Sequence, residues 1–235
     1  MEVKNKTIFI TGGADGIGLA TVKKLLAEGA NVIIYSKSVE KLNDLSLDVG
    51  KTLIIKGDVT DRENVKKAMQ GGIKKFGEID ILINNAGVAR NEKFLETTEK
   101  DWDFIINVNI KGVFICMQEF IKEMRNEKLD MNGKMIINIA SGAGEYGVGE
   151  IAVYSATKAG VINITQGLNE ELKNLGIKWV TVCPGATDTK MFANLFPEEK
   201  PYHTTEQVAE VIYKTITEEI KPDNRLIVDV FHHMR

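Results

Sequence analysis

Tyr154 and Lys158 carry the chemistry that the residue pattern indicates most strongly. They lie in YSATK at the start of an amphipathic stretch, so a helix there would project the phenol and the ammonium from one face. A free phenol, with a pKa of about 10, is a poor base at neutral pH, but a nearby positive charge favours the phenolate. The pair therefore indicates proton transfer to or from a substrate oxygen, although YxxxK alone is common.

Two more polar residues precede this pair and strengthen the interpretation. Ser141 follows the apolar run MIINIA, thirteen residues before Tyr154, and its hydroxyl can hydrogen-bond a substrate oxygen beside the phenol. Asn109 lies in the helical stretch VNIKGVF, where a purely structural asparagine is the alternative. Together these side chains predict an acid–base site.

A glycine-rich turn follows the first apolar run, TIFIT. Glycines there permit a sharp turn and close approach of a pyrophosphate, and the N-terminus of the following helix favours negative charge. A tight turn without a ligand is the alternative. The residues predicted to bind a dinucleotide in this turn are Gly12, Asp15, Gly16, Ile17 and Gly18.

The GxxxGxG spacing of TGGADGIG resembles the nucleotide loop of the short-chain dehydrogenase/reductase family. One further motif of that family matches at each successive strand end, which makes chance a poor explanation. These matches are Asp58-Val59, similar to the adenine-contacting pair, Asn84-Asn85-Ala86-Gly87, and Pro184-Gly185-Ala186-Thr187-Asp188-Thr189, similar to PGxxxT.

The resemblance implies a nicotinamide-dependent oxidoreductase with an Asn-Ser-Tyr-Lys tetrad. It implies that Tyr154 donates a proton to the carbonyl oxygen, which Ser141 positions. Lys158 would hold the nicotinamide ribose and lower the tyrosine pKa, and Asn109 would anchor a water that links Lys158 to solvent. The Thr187 backbone and the Thr189 side chain would lie near the carboxamide.

Cofactor choice depends on the end of the second strand. Ser36 occupies the position where the resemblance places an NAD-selecting aspartate, and Lys37 follows it, which favours the 2′-phosphate of NADP. A solvated lysine is the alternative, and Asp15 points toward NAD. We expect NADP.

Short apolar runs alternate with amphipathic stretches along the chain. This pattern is typical of a mainly parallel sheet covered by helices on both faces, and it predicts the strands and helices that position the residues above. We predict a single α/β domain over residues 1–235, doubly wound (Rossmann), with a short substrate lid over residues 189–204. The seven predicted strands are Thr7–Thr11, Asn31–Ser36, Thr52–Lys56, Ile79–Asn84, Lys134–Ala140, Lys178–Cys183 and Arg225–Val230.

Candidates for the substrate pocket lie in two segments, although an ordinary loop and a short packing helix explain them equally well. They are Met191, Phe192, Leu195 and Phe196 in the lid, and Gly142, Glu145, Tyr146 and Glu150 before Tyr154.

The composition and charge of the chain limit the classes of partner that it can bind. The formal charge of −3 arises from interspersed charges without a basic block, which disfavours nucleic acid and membrane surfaces. No apolar stretch approaches the roughly 18 residues of a membrane span, and MEVKNKT shows no secretory pattern, so we expect a cytoplasmic protein. The two cysteines and three histidines show no metal-ligand spacing. We expect the cysteines to be buried thiols and the histidines to lie at the surface or an interface. The resemblance implies a homodimer or homotetramer.

Three functions are compatible with these residues. The complete tetrad and Lys37 favour a carbonyl reductase. A 3-oxoacyl thioester reductase, acting on acyl carrier protein, is the second hypothesis, and a C-terminus without a glycine-rich ending argues against it. A non-catalytic NAD(P)-sensing regulator is the third, and it would not need an intact tetrad.

Overall fold

The computed structural model describes residues 2–42 and 47–234. Their strands form one sheet in which every pairing is parallel, in the order β3-β2-β1-β4-β5-β6-β7. The strand order reverses between β1 and β4, which is where open α/β sheets bind ligands. The strands are β1 (Thr7–Thr11), β2 (Asn31–Ser36), β3 (Thr52–Lys56), β4 (Ile81–Asn84), β5 (Met135–Ile139), β6 (Lys178–Cys183) and β7 (Ile227–Asp229). The predicted doubly wound α/β fold is confirmed.

Helices cover both faces of the sheet. They are α1 (Gly16–Ala27), α2 (Arg62–Phe76), α3 (Glu99–Ile106), a π-helical segment (Asn107–Gly112), α4 (Val113–Asn126), α5 (Ala152–Glu171), α6 (Lys190–Leu195), α7 (Thr205–Ile216) and α8 (Val230–His233). One apolar layer joins the sheet to α2, α4 and α5, and a second joins it to α1, α7 and α8. Side-chain alternation explains the division, since Phe9 packs in the first layer while Ile8 and Ile10 pack in the second.

Three strands, β4, β5 and β7, are shorter than predicted, β5 by one residue at each end. At β4 and β7, aspartate side chains take over hydrogen bonds of the backbone. At the start of β4, the Asp80 carboxylate accepts from the Thr7 backbone N–H at 2.8 Å, so the strand begins at Ile81 and not at Ile79. Before β7, the Asp223 carboxylate accepts from the backbone N–H groups of Arg225 and Ile227. Such local bonds compete with the strand ladder.

The continuous helical run Glu99–Asn126 is long and apolar enough, by length and composition, to cross a membrane, contrary to the expectation from the sequence. Half of its most apolar window is buried within the protein. Phe120 and Met124 on α4 are fully buried in the core, which explains the apolar composition as that of a core helix.

Neighbouring glycines in α2 predict opposite effects on stability. Among residues 2–42 and 47–234, a Cβ on Gly71 would meet Ile55 Cδ1 alone, at 3.9 Å, whereas one on Gly72 would lie 2.3 Å from Ile33 Cδ1 in the core. We expect Gly71→Ala to raise the free energy of unfolding by about 0.5–1 kcal/mol, because alanine favours the helix. Gly72→Ala should lower it by about 1–2 kcal/mol through overpacking. Urea denaturation of both variants measures these changes, and equal stabilisation by both would contradict the packing seen here.

Candidate active site

A cleft of about 540 Å³ opens at the carboxyl ends of β1, β4, β5 and β6. It contains most of the predicted cofactor and catalytic residues, which come from segments far apart in the chain. Those lining it are Gly12, Asp15, Gly16, Ile17, Gly18, Asn85, Ala86, Gly87, Ser141, Tyr154, Lys158, Pro184, Gly185, Thr187 and Thr189. Ser36, Lys37, Asp58, Val59 and Asn109 do not line it.

The glycines of the loop leave its backbone accessible at one end of this cleft, between the side chains of Asp15 and Ile17. Gly12 has φ of 66°, and a Cβ on Gly18 would lie 2.3 Å from the Gly12 carbonyl oxygen, so neither position accepts another residue without rearrangement. The Asn85 amide holds the loop by donating to the carbonyl oxygens of Thr11 and Gly12. Asp15 caps the 12-residue helix α1, whose N-terminus faces the cleft. Such an accessible backbone at a helix N-terminus fits the pyrophosphate of a dinucleotide.

Tyr154 and Lys158 meet at the other end of the cleft, as one helical turn on α5 requires. The Lys158 Nζ lies 5.6 Å from the centre of the Tyr154 ring and donates a 2.8 Å hydrogen bond to the Ile139 carbonyl oxygen. Ser141 follows β5, and its hydroxyl lies close enough to the Tyr154 phenol to lower the pKa of that phenol. The arrangement places two hydroxyls and one ammonium around a position that a substrate oxygen can occupy.

Burial controls the ionisation of this pair. It raises the pKa of Tyr154 to about 12, outweighing the lowering effect of the Ser141 hydroxyl, and it lowers the pKa of Lys158 to about 8. The tyrosine is therefore a neutral phenol at pH 7, suited to donating a proton, and the lysine is mainly charged. Burial raises the pKa of Tyr154 above its ordinary value, contrary to the prediction that Lys158 lowers it.

Asn109 lies behind the cleft, in the π-helical segment. Its side chain is fully buried, and its carboxamide donates to the Val88 carbonyl oxygen at 2.8 Å and to the Thr157 hydroxyl at 3.0 Å. Its Oδ1 accepts from the Val88 backbone N–H at 2.9 Å. A Cβ on Gly87 would lie 3.5 Å from both Asn109 Oδ1 and Lys158 Nζ, so Asn109 borders the lysine without entering the cleft.

The residues predicted to bind adenosine lie beyond the cleft, where β2 and β3 end. Lys37 forms a 2.9 Å ion pair with Asp58 and is 77% exposed. Burial opposes ionisation of Asp58, but hydrogen bonds from Thr60 and Lys37 together hold its pKa below the ordinary value. Val59 is buried, and a Cβ on Gly112 would lie 2.6 Å from its Cγ2. Ser36 ends β2 beside these residues.

The segment after β6 forms one wall of the cleft and starts the lid. The Thr189 hydroxyl caps α6 by accepting from the Phe192 backbone N–H at 3.1 Å. Thr187 pairs with His203 through a parallel β-bridge, which ties the wall to the end of the lid. The expectation of a histidine at the surface or an interface is wrong for His203, which is 6% exposed because its ring packs beneath Gly185 and against Phe231.

The substrate-pocket candidates divide into two groups. Met191, Phe192, Leu195, Phe196 and Gly142 line the cleft.

The other candidates do not line it. Glu145 turns away to an ion pair of 2.9 Å with Arg225, Tyr146 is 69% exposed, and Glu150 is exposed. Cleft residues that the sequence analysis missed include Ala143, Val148, Ile151, Lys190 and Glu199. Their nearness to Ser141, Tyr154 and Thr189 in the sequence was the available indication.

Over residues 2–42 and 47–234, no group of three or more His, Cys, Asp or Glu side chains is arranged to hold a metal ion. Cys116 and Cys183 are both free and buried, as expected.

Comparison with known proteins identifies the family. Residues 6–200 match the family model for short chain dehydrogenases. The 3-oxoacyl-[acyl-carrier-protein] reductase FabG of Thermotoga maritima is 38% identical over 203 residues, covering 85% of this chain and 80% of that protein. The chain belongs to the short-chain dehydrogenase/reductase family and is an oxidoreductase, as the resemblance predicted.

Solved structures agree with this assignment. A 3-ketoacyl-(acyl-carrier-protein) reductase from Brucella melitensis complexed with NADH superposes with a TM-score of 0.84 at 25% identity, covering 97% of each chain. A tyrosine-to-phenylalanine variant of ElxO with NADPH bound superposes with a TM-score of 0.83 at 29% identity, covering 96% of each chain. A nicotinamide cofactor is therefore supported for this chain, without a choice between its two forms.

Proposed function

We propose that this protein is an NADP-dependent carbonyl reductase in which Tyr154 is the general acid. The observation that carries the proposal is the convergence of Tyr154, Ser141 and Lys158 in one cleft with the glycine loop. When bound, the reduced nicotinamide supplies a hydride to the carbonyl carbon.

The protein's own residues manage the proton and the orientation. The Tyr154 phenol delivers its proton to the carbonyl oxygen, and the Ser141 hydroxyl donates to that oxygen and fixes its position. Lys158 holds the nicotinamide ribose and, when charged, stabilises the tyrosinate that proton donation leaves. Asn109, which reaches the backbone of Val88 beside Gly87, fixes the wall next to Lys158 and serves the water link to solvent.

The experiment for this proposal is the initial rate of NADPH and NADH oxidation with a panel of ketones, aldehydes and diketones. Turnover with NADPH that depends on Tyr154 supports it. Cofactor binding without turnover on any carbonyl contradicts it and favours the sensing regulator.

The preference for NADP rests on Lys37, whose exposed ammonium can leave Asp58 to meet a 2′-phosphate. We expect Lys37→Met to raise the KM for NADPH about tenfold, because a charge-assisted bond to phosphate is lost, and to change the KM for NADH less than about threefold. Lys56→Met is the matched control, since Lys56 is also exposed and is ion-paired, with Glu40. Equal effects on both cofactors, or a wild type that prefers NADH, would reverse the assignment.

A second candidate function is 3-oxoacyl thioester reduction, favoured by the 38% identity to the Thermotoga maritima enzyme. Helix α8, which directly follows β7, contains no glycine, and this argues against the thioester. Acetoacetyl thioester in the same assay separates the two functions: a kcat/KM well above that of every simple ketone would favour the thioester.

The proposal also covers the domain organisation, the location and the oligomeric state of the enzyme. We assign residues 1–235 to a single domain with its lid at 189–204, acting in the cytoplasm as a homodimer or homotetramer. The helical run Glu99–Asn126 supports association, since Phe104 and Phe114 on it are 39% and 38% exposed. Light scattering of the purified protein measures the assembly.

A further inference from the structure

The substrate end of the cleft is enclosed by apolar side chains that the chemistry at Tyr154 does not require. We infer that the substrate is a ketone carrying one bulky apolar group, aromatic or alicyclic, and one small group, and that Phe192 and Phe196 select it. This inference rests on the proposed function and adds the substrate class.

The lid contributes the larger apolar wall. Phe192 and Phe196 lie one helical turn apart at α6, with ring centroids 5.6 Å apart and ring planes inclined by 45°. Both rings are half-buried and line the cleft beside Met191 and Leu195. A tilted aromatic pair offers an apolar surface that suits a ring or a branched hydrocarbon, and it offers no hydrogen bond to a hydroxyl group.

This wall is held at both ends, so its shape exists before substrate binds. Thr189 caps the first turn of α6, as described above. At the last turn, the Asn91 side chain donates to the Leu195 carbonyl oxygen at 2.5 Å, which ties the lid to the segment after β4. Leu195 is itself 8% exposed. A preformed apolar surface discriminates between substrates better than a mobile one, because ordering costs less.

A further part of the cleft lining is made of small residues, and two of their backbone N–H groups are already hydrogen-bonded. The Gly142 backbone N–H donates to the Pro184 carbonyl oxygen at 3.0 Å, and the Ala143 backbone N–H donates to the Ser141 hydroxyl at 3.1 Å. Gly185 and Ala186 complete this part of the lining. A small substituent fits there, whereas a polyhydroxylated one would lose its hydrogen bonds to water without replacement.

Charges near the lid do not favour an ionic substrate. Lys190 and Glu199 both line the cleft, both are exposed, and their charges are opposite. Their fields therefore partly cancel at the position of a substrate substituent, and solvent screens the remainder. An apolar group gains more from the aromatic wall than a charged group gains from this pair.

The test compares acetophenone, hydroxyacetone and acetoacetyl-N-acetylcysteamine as substrates at saturating NADPH. We expect kcat/KM for acetophenone to exceed that for hydroxyacetone by about 100-fold, since an aromatic group is buried in one case and a hydroxyl in the other. Phe192→Ala and Phe196→Ala should each lower kcat/KM for acetophenone about tenfold, with hydroxyacetone changed less than about threefold. Phe94→Ala is the control, because Phe94 is 76% exposed and does not line the cleft.

Unchanged NADPH affinity and melting temperature show that the variants are folded. If an alanine variant fails this check, the leucine variant at the same position, Phe192→Leu or Phe196→Leu, replaces it. We expect the leucine variants to show the same selective loss. Preference for hydroxyacetone or the thioester, or an equal loss on all three probes, would overturn the substrate class while Tyr154-dependent turnover keeps the proposed function. If none of the three probes is reduced but another carbonyl of the panel is, the inference alone fails; if no carbonyl of the panel is reduced, the proposed function fails as well.

Discussion

Tyr154→Phe is expected to lower kcat for carbonyl reduction by about 10²- to 10⁴-fold, because the variant lacks the proton donor. The phenol has a pKa of about 12 in the folded protein, so it carries its proton throughout the neutral range. Phenylalanine preserves the ring that packs near the Lys158 ammonium. NADPH affinity should therefore change less than about threefold, a difference smaller than one neutral hydrogen bond. Single-turnover kinetics and NADPH fluorescence titration measure the two quantities separately.

Tyr213→Phe is the matched control for this loss. Its hydroxyl is hydrogen-bonded to Glu28 at 3.3 Å, and Tyr213 lies on α7, outside the cleft. The control should retain wild-type kcat while losing one comparable hydroxyl. Turnover by Tyr154→Phe within tenfold of the wild type would show that another group, or water, donates the proton, and the general-acid assignment would be withdrawn.

The strands could be predicted from the sequence because their cause is local. Parallel strands covered on both faces need apolar residues at nearly every position, and the runs TIFIT and NVIIYS show this directly. The errors at β4 and β7 arise where an aspartate side chain competes with the strand for backbone hydrogen bonds, a choice that depends on geometry. Apolar patterning contains no information on that competition.

The candidate site divides in the same physical way. Tyr154 with Lys158, and Gly12 with Gly18, lie a few residues apart, so their spacing alone places them together. The ion pair between Lys37 and Asp58 joins two strand ends and depends on strand order, which the residue pattern does not contain.

Glu145 shows the same limit more strongly. It lies between Ser141 and Tyr154 in the sequence, yet it pairs with Arg225 from the C-terminal region, 80 residues away. Only tertiary packing decides which way such a loop side chain points.

Lys158→Met should lower kcat by about 10²- to 10⁴-fold and at the same time stabilise the folded protein. Burial lowers the pKa of Lys158 from its ordinary value of 10.5 to about 8. Below pH 8 the lysine is charged in both the folded and the unfolded state. The ammonium is less stable in the folded protein, which lowers the free energy of unfolding by about 3 kcal/mol. Methionine removes this cost but loses the hydrogen bond to the Ile139 carbonyl, about 1 kcal/mol. The net gain should be about 2 kcal/mol at pH 7.

The pH dependence of this gain distinguishes relief of a buried charge from better packing. Between pH 8 and pH 10.5 the folded wild type binds fewer protons than the unfolded chain, so its stability rises with pH. The advantage of Lys158→Met should therefore disappear within this range, and near pH 10.5 the variant should be less stable than the wild type by about 1 kcal/mol, the lost hydrogen bond. Lys134→Met is the control: Lys134 is also buried, but it forms a 2.9 Å ion pair with Glu78 beside the opposite end of β5. Its loss should leave kcat unchanged and give no stabilisation, because the ion pair offsets the cost of burial. Denaturation curves at several pH values measure the free energy of unfolding of each variant. A stabilisation by Lys158→Met that is the same at pH 7 and pH 10.5 would rule out the charge explanation.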